Sequence, residues 1–396
     1  MINREHYIDQ IRPFYDSDLI KVITGIRRSG KSVIMEQIIK ELTLQGKQIL
    51  ALNFEDRFTS SEITNDLELI SYIEKHIGHQ KLYVFLDEVQ MVKNWNLACR
   101  TLRLKNISLF VTGSNSKLLS KEFTKELSGR YVAFCIRPFV YKELTQYAQQ
   151  LGKEYTINDY LVYGGFPKIL EFPDKASILR YLNDLDDTIV INDILNRYRV
   201  QKKDLFKKLV NYILISNSRI FSANAVLKYL KNQKLQCSLT TLIKYINYLE
   251  EAYVIRHIPQ FSTKAKRELS FYEKLYNEDI AFNSIRQPGG RYDVTHNLEN
   301  IVYNELVYMG YELSVFNSDG KEIDFLAEKN GLQYLVQVAY SIVEESTYKR
   351  EFELFNKLDN SKAKIIITND EFDYSTSTVR HIKLKDFLRM NSLEEK

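Results

Sequence analysis

Eight consecutive residues near the N-terminus constrain this chain most: Gly25-Ile26-Arg27-Arg28-Ser29-Gly30-Lys31-Ser32. They follow an apolar run of strand length, Leu19–Thr24, and precede an amphipathic stretch, Ser32–Gln45. The two glycines let the backbone fold around phosphate groups, with N–H groups pointing inward at the positive end of the following helix. The alternative is a glycine loop that merely connects a strand and a helix. The full match and its placement favour a phosphate-binding loop.

The loop predicts a site for ATP and Mg²⁺. We expect Lys31 to place its ammonium on the β- and γ-phosphates and the Ser32 hydroxyl to complete the Mg²⁺ shell. The residues expected to contact the nucleotide are Gly25, Ile26, Arg27, Arg28, Ser29, Gly30, Lys31, Ser32 and Val33.

A second apolar run, Leu82–Leu86, ends in two carboxylates. Asp87 is predicted to orient the Mg²⁺ shell, and Glu88 stands where a general base for the attacking water is needed. A strand that simply ends in solvated acids is the alternative. Hydrolysis, as distinct from nucleotide binding, depends mainly on Glu88.

Two further polar positions are candidates for catalysis. The run Ser108–Thr112 is followed by Gly113, Ser114 and Asn115, and we expect Ser114 or Asn115 to sense the γ-phosphate or position the water. A turn closed by glycine and asparagine is the alternative. Arg130 follows a glycine just before the next strand and is a candidate to neutralise phosphate charge, in cis or from a neighbouring subunit, against an ordinary surface arginine.

The N-terminal part alternates strand-length apolar runs with helical periodicity, which is typical of an α/β fold with a parallel sheet buried on both faces. A chain of 396 residues is too long for one core, so several domains are expected. The predicted domains are a nucleotide-binding core at 1–145, a small helical lid region at 146–203, a winged helix-turn-helix at 204–286, and a small α/β domain at 287–396.

Composition excludes several classes of protein. Hydrophobic residues make up 44% and charged residues 27%, as in globular proteins and unlike disordered ones. Three widely spaced cysteines form no metal or redox pair, and no apolar run is long enough to cross a membrane. The net charge is only +4, so any affinity for nucleic acid must come from a local patch. We therefore expect a cytoplasmic protein with no membrane partner.

The motifs together resemble the prokaryotic AAA-type ATPases of the AAA_14 group, whose C-terminal part is the DUF4143 region. The resemblance rests on the phosphate loop, Phe85–Gln90, Thr112–Asn115 and Ser128–Tyr131 with Arg137–Phe139. It continues through Gly164–Pro167, Asn300–Gly310, Glu322–Phe325 and Val336–Ala339, and so covers nearly the whole chain.

This resemblance implies an AAA-like core, a helical region, a winged helix and a terminal domain similar to restriction nucleases. It also suggests kinship with switch-type ATPases in which a GxP turn touches the nucleotide. Here that turn is Gly165-Phe166-Pro167, with Pro167 near the adenine or ribose, and a plain loop is the alternative.

A nuclease of this kind needs a helix glutamate, a strand aspartate and a lysine two residues after a Glu or Gln. The corresponding residues are Glu299 or Glu305, Asp324, and Gln337 with Ala339 in the lysine position. Alanine carries no charge, so the domain is predicted to be degenerate, with cleavage doubtful. Lys321 or Lys349 could substitute for the lysine only if the fold brings them there.

The predicted winged helix has a local excess of lysine, including Lys228, Lys231 and Lys234. Duplex DNA is therefore an expected partner, although the third helix offers only Lys244 for base contacts, and a solvated basic face is the alternative. The function predicted is an ATPase that couples nucleotide state to its C-terminal modules. The alternatives are an ATP-gated DNA-binding protein or nuclease, and a nucleotide-locked scaffold. A homo-oligomer or an unidentified protein partner is compatible with each.

Overall fold

The computed structural model describes residues 2–113, 127–261, 273–287, 293–318, 321–356, 358 and 361–395. Two compact units are present: Met1–Pro138 with Glu251–Tyr253, and Phe139–Glu250 with Val254–Lys396. The division at residue 138 lies close to the predicted end of the core at 145. The finer division of the second unit into three domains stays a prediction.

The first unit is built on a parallel sheet of five strands with the order β2-β3-β4-β1-β5 in the described residues. Its strands are β1 (Ile20–Thr24), β2 (Gln48–Asn53), β3 (Leu82–Asp87), β4 (Ile107–Thr112) and β5 (Tyr131–Cys135). Its helices are α1 (Glu5–Ile11), α2 (Lys31–Leu44), α3 (Arg57–Glu62), α4 (Asp66–Glu74) and α5 (Trp95–Leu102). The predicted α/β class is confirmed.

The three central strands are apolar because helices cover both of their faces. Every residue of β1 and β4 is buried, as are the first five of β3, whereas the edge strand β2 is largely half-exposed. The stacked rings of Phe85 and Phe110, with centroids 4.4 Å apart, fill the space between β3 and β4. Parallel strands buried on both faces read as continuous apolar runs, which is why sequence patterns located them.

The second unit begins with helices. These are α6 (Tyr141–Gln150), α7 (Ile157–Tyr163), α8 (Lys175–Asp186), α9 (Asp193–Arg197), α10 (Lys203–Ile215), α11 (Ala223–Asn232) and α12 (Leu239–Glu251). A π-helical stretch, Asp187–Asn192, lies between α8 and α9, so the helix-like sequence of residues 176–199 does not form one continuous α-helix. Helices α10 to α12 lie where the three helices of the winged helix were predicted.

A mixed sheet of seven strands completes the second unit, with the order β12-β11-β10-β9-β8-β6-β7 among the described residues. Its strands are β6 (Ile255–Phe261), β7 (Glu273–Asn277), β8 (Glu312–Ser318), β9 (Lys321–Lys329), β10 (Leu332–Ala339), β11 (Ala363–Thr368) and β12 (Val379–Lys383). Its helices are α13 (Ala281–Ser284), α14 (Val294–Tyr308), α15 (Glu345–Asn356) and α16 (Leu384–Phe387).

The hairpin predicted as the wing belongs to this same sheet. Strand β6 pairs antiparallel with β7 and also parallel with β8, through Gln260 opposite Val315. The apolar sequence of residues 269–272 predicts a second strand of the wing, but these residues lie outside the described ones. Strand β7 begins at Glu273. The pairing of β6 with β8 places the predicted wing and the predicted domain at 287–396 in one sheet, and the boundary between them at 286 stays a prediction.

Helix α14 is the central element of the second unit, and most of its residues are buried. Its buried amides bond to neighbouring elements: Asn300 accepts the Asn277 N–H at 2.8 Å, and Asn297 accepts from Asn283 at 2.8 Å. Buried amides need such partners, so they fix β7 and α13 against α14. No helix in the described ranges is both long enough and apolar enough to cross a bilayer.

Candidate functional site: a phosphate loop and its acidic partners

The predicted phosphate loop connects β1 to α2 at the carboxyl edge of the parallel sheet. Gly25 has φ +133° and Gly30 has φ +95°, conformations that residues with a Cβ rarely adopt. A Cβ on Gly25 would also lie 2.0 Å from the carbonyl oxygen of Ile136, in the segment after β5. Gly25 is therefore required both by its backbone angle and by this close approach.

Lys31 is the first residue of α2 and its side chain is buried. Its ammonium donates to the carbonyl oxygens of Gly25 at 3.2 Å and Ile26 at 3.1 Å. Burial lowers the pKa of Lys31 below its ordinary value, and the nearby carboxylates Glu88 and Asp87 partly oppose that shift. The ammonium thus rests on uncharged carbonyls of its own loop, and a bound phosphate would provide an anionic partner.

The two carboxylates lie at the end of β3, two strands away from β1. Thr112, the last residue of β4, connects them: its hydroxyl donates to the Asp87 carboxylate and accepts the Glu88 N–H at 3.0 Å. Glu88 has φ +54°, and its carboxylate accepts a hydrogen bond from the Gln90 amide. Both acids are half-buried, so they remain accessible to a metal ion or water.

Sequence reasoning missed Thr112 as a functional residue and considered only the residues after it. Its position between the phosphate loop and the acids, on β4, follows from the strand order β3-β4-β1. A polar residue closing an otherwise apolar strand beside Gly113 was the available signal. Ser114 and Asn115 themselves lie outside the described residues.

Arg4 is a second residue that sequence reasoning missed. Its guanidinium is buried and donates to the carbonyl oxygen of Ser29 at 2.9 Å and to that of Arg137 at 3.0 Å. It also lies over the ring of Tyr7, 4.5 Å from the centroid. Arg4 therefore fixes the phosphate loop to the segment that follows β5. No sequence pattern around residue 4 predicts this contact.

The remaining loop residues differ in exposure. Ile26 and Ser29 are buried, Arg28 and Ser32 are exposed, and Arg27 lies within 3.8 Å of Glu55. The buried Ser29 hydroxyl has no hydrogen-bond partner among the described residues. An unsatisfied buried hydroxyl in a loop with two strained glycines fits a site completed by a polar ligand. Val33 is half-buried in the first turn of α2.

Mg²⁺ fits the same edge of the sheet. Asp87 supplies a half-buried carboxylate and Ser32 an exposed hydroxyl, which are the hard oxygen ligands that Mg²⁺ prefers beside nucleotide phosphates. These are the two residues that the sequence predicted for the metal.

Arg130 lies at the opposite edge of the sheet. Its carbonyl accepts from the Ile20 N–H, and Tyr131 at the start of β5 pairs with Ile20 at the start of β1. The phosphate loop follows the other end of β1, so five strand residues separate them, or roughly 15 Å at about 3.3 Å per residue. This separation favours action from a neighbouring subunit over action in cis, and both stay predictions.

Pro167 belongs to the second unit, where it begins a short 3₁₀ helix, Pro167–Glu171. Gly165, before it, has no room for a side chain, because a Cβ would lie 2.1 Å from the carbonyl oxygen of Phe139. The Gly165 N–H donates to Asp279 at 2.7 Å. The turn is therefore closely packed and hydrogen-bonded at Gly165. Contact of Pro167 with the nucleotide stays a prediction.

The acidic residues predicted for the terminal domain separate into two places. Glu299 and Asp324 both contact the ammonium of Lys274, from β7. Glu305 instead accepts the Tyr141 N–H at 3.0 Å, so Glu299 is the helix glutamate beside Asp324. Lys349 pairs with Glu345 on the surface and does not replace the lysine missing at Ala339. The side chain of Lys321 lies outside the described residues.

A basic cleft of about 1020 Å³ lies in the helical region of the second unit. It is lined by Lys202, Leu227, Lys228, Lys231, Lys234, Leu235, Gln236, Cys237, Ser238 and Thr241. Four of these residues are lysines and none is acidic. Ser238 caps the start of α12 by accepting the Thr241 N–H at 3.1 Å. Positive side chains and a helix N-terminus together favour an anion here.

Comparison with known proteins agrees with this geometry. Residues 17–145 match the AAA_14 model, an AAA domain, and residues 295–387 match DUF4143, a domain of unknown function. Residues 154–284 match a further domain of unknown function, DUF8612. An uncharacterized protein of Haemophilus influenzae is 34% identical over 94% of each chain. The chain belongs to the AAA_14–DUF4143 family. The resemblance inferred from the motifs is confirmed.

A second relative and one solved structure extend the comparison. An uncharacterized protein of Methanocaldococcus jannaschii is 31% identical over 89% of this chain and 82% of its own. A Walker-type ATPase of Pyrococcus abyssi matches in structure with a TM-score of 0.50 at 13% identity, over 72% of this chain and 95% of its own. That likeness shows the P-loop ATPase fold in this AAA_14–DUF4143 protein.

Proposed function

We propose that this AAA_14–DUF4143 protein is a Mg²⁺-dependent ATPase that converts ATP to ADP and phosphate. The observation that carries the proposal is the buried Lys31 ammonium, which contacts two carbonyl oxygens of its own loop and lies near Asp87 and Glu88. An ammonium in this setting gains most from a phosphate, because a charge-assisted bond replaces bonds to neutral carbonyls.

In this proposal the residues around the phosphate loop have separate roles in hydrolysis. Lys31 binds the β- and γ-phosphates, and the loop from Gly25 to Gly30 wraps them with its backbone. Mg²⁺, held by Ser32 and Asp87, supplies charge neutralisation on the phosphates when it is bound. Glu88 orients the attacking water and accepts its proton, while Thr112 fixes the relative position of the two acids.

Measurement of phosphate release from ATP tests these assigned roles. Wild type should release phosphate slowly with ATP and Mg²⁺, and Lys31→Ala should neither bind ATP tightly nor turn it over. Glu88→Gln should bind ATP like wild type but hydrolyse it about 100-fold more slowly or worse, since a general base contributes at least about that factor. Lys40→Ala, on the exposed face of the same helix, is the matched control.

Two outcomes would reject parts of the proposal. If wild type retains no nucleotide with Mg²⁺, the site itself is wrong. If it binds ADP tightly and releases no phosphate, the nucleotide-locked scaffold is the correct alternative.

We further propose that nucleotide state is coupled to the second unit. The order of modules motivates this, because the phosphate loop and its acids belong to the N-terminal core, and helical and sheet modules follow it in the chain. Hydrogen exchange within residues 204–396 should change between ATP-bound and nucleotide-free protein. Unchanged exchange there would contradict coupling.

The basic cleft favours duplex DNA as a second ligand, with α10 to α12 acting as a winged helix. Its lysines suit phosphate contacts, which give affinity without reading sequence. We expect a duplex to bind with strong salt dependence. The triple variant Lys228→Glu, Lys231→Glu and Lys234→Glu should abolish that binding.

Lys203, Lys207 and Lys208, all exposed on or beside α10, provide a control with the same charge change. If both triple variants lose duplex binding equally, the affinity comes from the overall positive charge of this region, and the cleft is not a specific site. Adding duplex to the phosphate-release assay tests whether DNA regulates turnover.

We propose that Arg130 acts from a neighbouring subunit, which would make a homo-oligomer the active form, because Arg130 precedes β5 at the end of the sheet away from the phosphate loop. Arg130→Ala should slow hydrolysis with unchanged ATP affinity, and an Arg130→Ala and Lys31→Ala mixture should regain turnover if subunits combine. In the part of the chain that the structure describes, none of the three cysteines forms a disulfide, and burial raises the pKa of the Cys99 thiol to about 12. Such thiols suit the reducing cytoplasm.

A further inference from the structure

Four charged side chains from three elements of the second unit meet at one buried point. The ammonium of Lys274, on β7, lies 3.0 Å from Glu299 on α14, 2.7 Å from Glu322 and 2.9 Å from Asp324, both on β9. The Lys274 side chain is only 4% exposed. We call these four residues the lysine cluster. One cation thus contacts three carboxylates at hydrogen-bonding distance.

Other groups fix the carboxylates from outside. The Tyr276 hydroxyl donates to Glu299 at 2.7 Å, and the Val338 N–H donates to Asp324 at 2.9 Å. Gln337 accepts the Asp324 N–H at 3.2 Å and donates to Glu351 at 3.0 Å. The carboxylates of Glu299 and Asp324 are therefore held in place beside Lys274 by further hydrogen bonds, unlike loose surface ion pairs.

The charges around Lys274 favour its ammonium form. Burial alone would lower the pKa of Lys274, but Asp324, Glu299 and Glu322 outweigh it and keep the pKa well above its ordinary value. Burial and the neighbouring Asp324 raise the pKa of Glu299 to about 8, although Lys274 and Tyr276 oppose this. The surrounding carboxylates therefore favour the charged form of Lys274.

A divalent cation does not fit the cluster as it stands. Mg²⁺ needs oxygen ligands at about 2.0–2.1 Å around its own position, and here the ammonium occupies the point on which the three carboxylates converge. Among the described residues, no group of three or more His, Cys, Asp or Glu side chains could hold a metal ion. The point on which the three carboxylates converge is therefore taken by the Lys274 ammonium, and the wild-type chain offers no divalent metal a place there.

We propose that Lys274 is the built-in cation of the lysine cluster and that it closes a latent divalent-metal site. The terminal sheet is thereby held to α14 and β7 without metal, and the domain does not cleave phosphodiesters. Removal of the lysine side chain leaves three converging carboxylates and opens the site to Mn²⁺ or Mg²⁺. This role is independent of the proposed ATPase activity, so each can fail without the other.

The test is a titration of nucleotide-free full-length protein with MnCl₂, followed by calorimetry and thermal unfolding. Wild type should bind no Mn²⁺ at the cluster, and its unfolding midpoint should not move. Lys274→Ala should unfold at a lower temperature without metal, bind one Mn²⁺ per chain and regain much of the lost midpoint. Lys274→Ala combined with Asp324→Asn should lose both the binding and the recovery.

Two single variants complete the design. Lys349→Ala, which breaks only the surface pair with Glu345, should behave like wild type throughout. Lys274→Arg keeps the positive charge and should remain insensitive to Mn²⁺. If Lys274→Ala fails to fold even with Mn²⁺, that result overturns the latent-site proposal, because the metal should replace the lost cation.

The opposite role for Lys274, as the lysine of a working nuclease, gives the opposite results. Wild type would then bind Mn²⁺, Asp324→Asn would remove that binding, and wild type would nick plasmid DNA in a reaction that Lys274→Ala abolishes. Either Mn²⁺ binding lost in Asp324→Asn or Lys274-dependent nicking overturns the proposal. An active phosphate loop in any of these proteins does not affect this outcome.

Discussion

Lys31 in the first unit and Lys274 in the second are both buried, yet their surroundings differ in kind. Lys31 donates to two carbonyl oxygens, and burial lowers its pKa, whereas Lys274 donates to three carboxylates that keep its pKa high. Burying an ammonium is costly unless an anion accompanies it. The first lysine therefore has its best partner outside the chain, and the second has its partners inside.

The largest expected effect separates the two lysines by ligand affinity. Lys31→Met should weaken ATP binding at least 100-fold while leaving the unfolding midpoint equal to or above that of wild type, because the buried charge is removed along with its bonds to carbonyls. Fluorescent ATP-analogue titration and differential scanning fluorimetry measure the two quantities. A large fall in the midpoint would show that Lys31 is structural after all.

The corresponding experiment in the second unit replaces Lys274 with methionine. Lys274→Met should lower the free energy of unfolding by about 3–5 kcal/mol, because the buried carboxylates of Glu299 and Asp324 and the half-buried one of Glu322 lose their cation. ATP affinity should stay within about twofold of wild type. Urea unfolding and ATP titration provide the two readouts. A Lys274→Met protein as stable as wild type would abolish the distinction between the lysines.

A smaller effect concerns the support of the phosphate loop. Arg4→Lys should weaken ATP binding roughly tenfold, since one ammonium cannot span the carbonyls of Ser29 and Arg137 as a planar guanidinium does. Arg12→Lys is the control, because Arg12 forms its ion pairs with Glu5, Asp9 and Glu41 at a more exposed position. If the two variants bind ATP with equal affinity, Arg4 does not support the phosphate loop in nucleotide binding.

A change that is small when counted per pH unit is expected in the pH dependence of stability. Burial raises the pKa of Glu305 to about 8 from an ordinary value of 4.5. Between these two values the unfolded chain releases the proton that the folded chain keeps, so this residue makes stability fall as pH rises and has no further effect above about 8. Its slope is at most about 1.4 kcal/mol per pH unit.

Glu305→Gln should therefore gain stability relative to wild type as pH rises from 5 to 8. Chemical unfolding at several pH values measures the gap, and Glu353→Gln, at an exposed position, controls for the charge change. A gap that stays constant with pH would show that Glu305 ionises normally and that α14 tolerates an unpaired buried carboxylate.

The sequence alone predicted the phosphate loop, the acids at the end of β3 and the four strands around them. These features are local: a strand, a loop and a helix start follow one another, and buried parallel strands are uninterrupted apolar runs. The helices α10 to α12 were also predicted to within a few residues, because their apolar faces repeat with helical spacing.

What the sequence could not predict are contacts between distant residues. Arg4 reaches Arg137, 133 positions along the chain, and Lys274 reaches Asp324, 50 positions along. Neither lies in a motif, and the lysine was sought near Ala339 because spacing rules place it there. The short, polar strand β12 was missed as well, since Val379–Lys383 offers little apolar pattern.

The parallel pairing of β6 with β8 determines how this protein can be dissected. A fragment that begins at residue 287 would lack both β6 and Lys274, so β8 would present unpaired backbone groups beside Val315 and Phe316. Open edges of that kind recruit other chains. Cutting between Pro138 and Phe139 leaves all seven strands together, which makes it the safer place to divide the polypeptide.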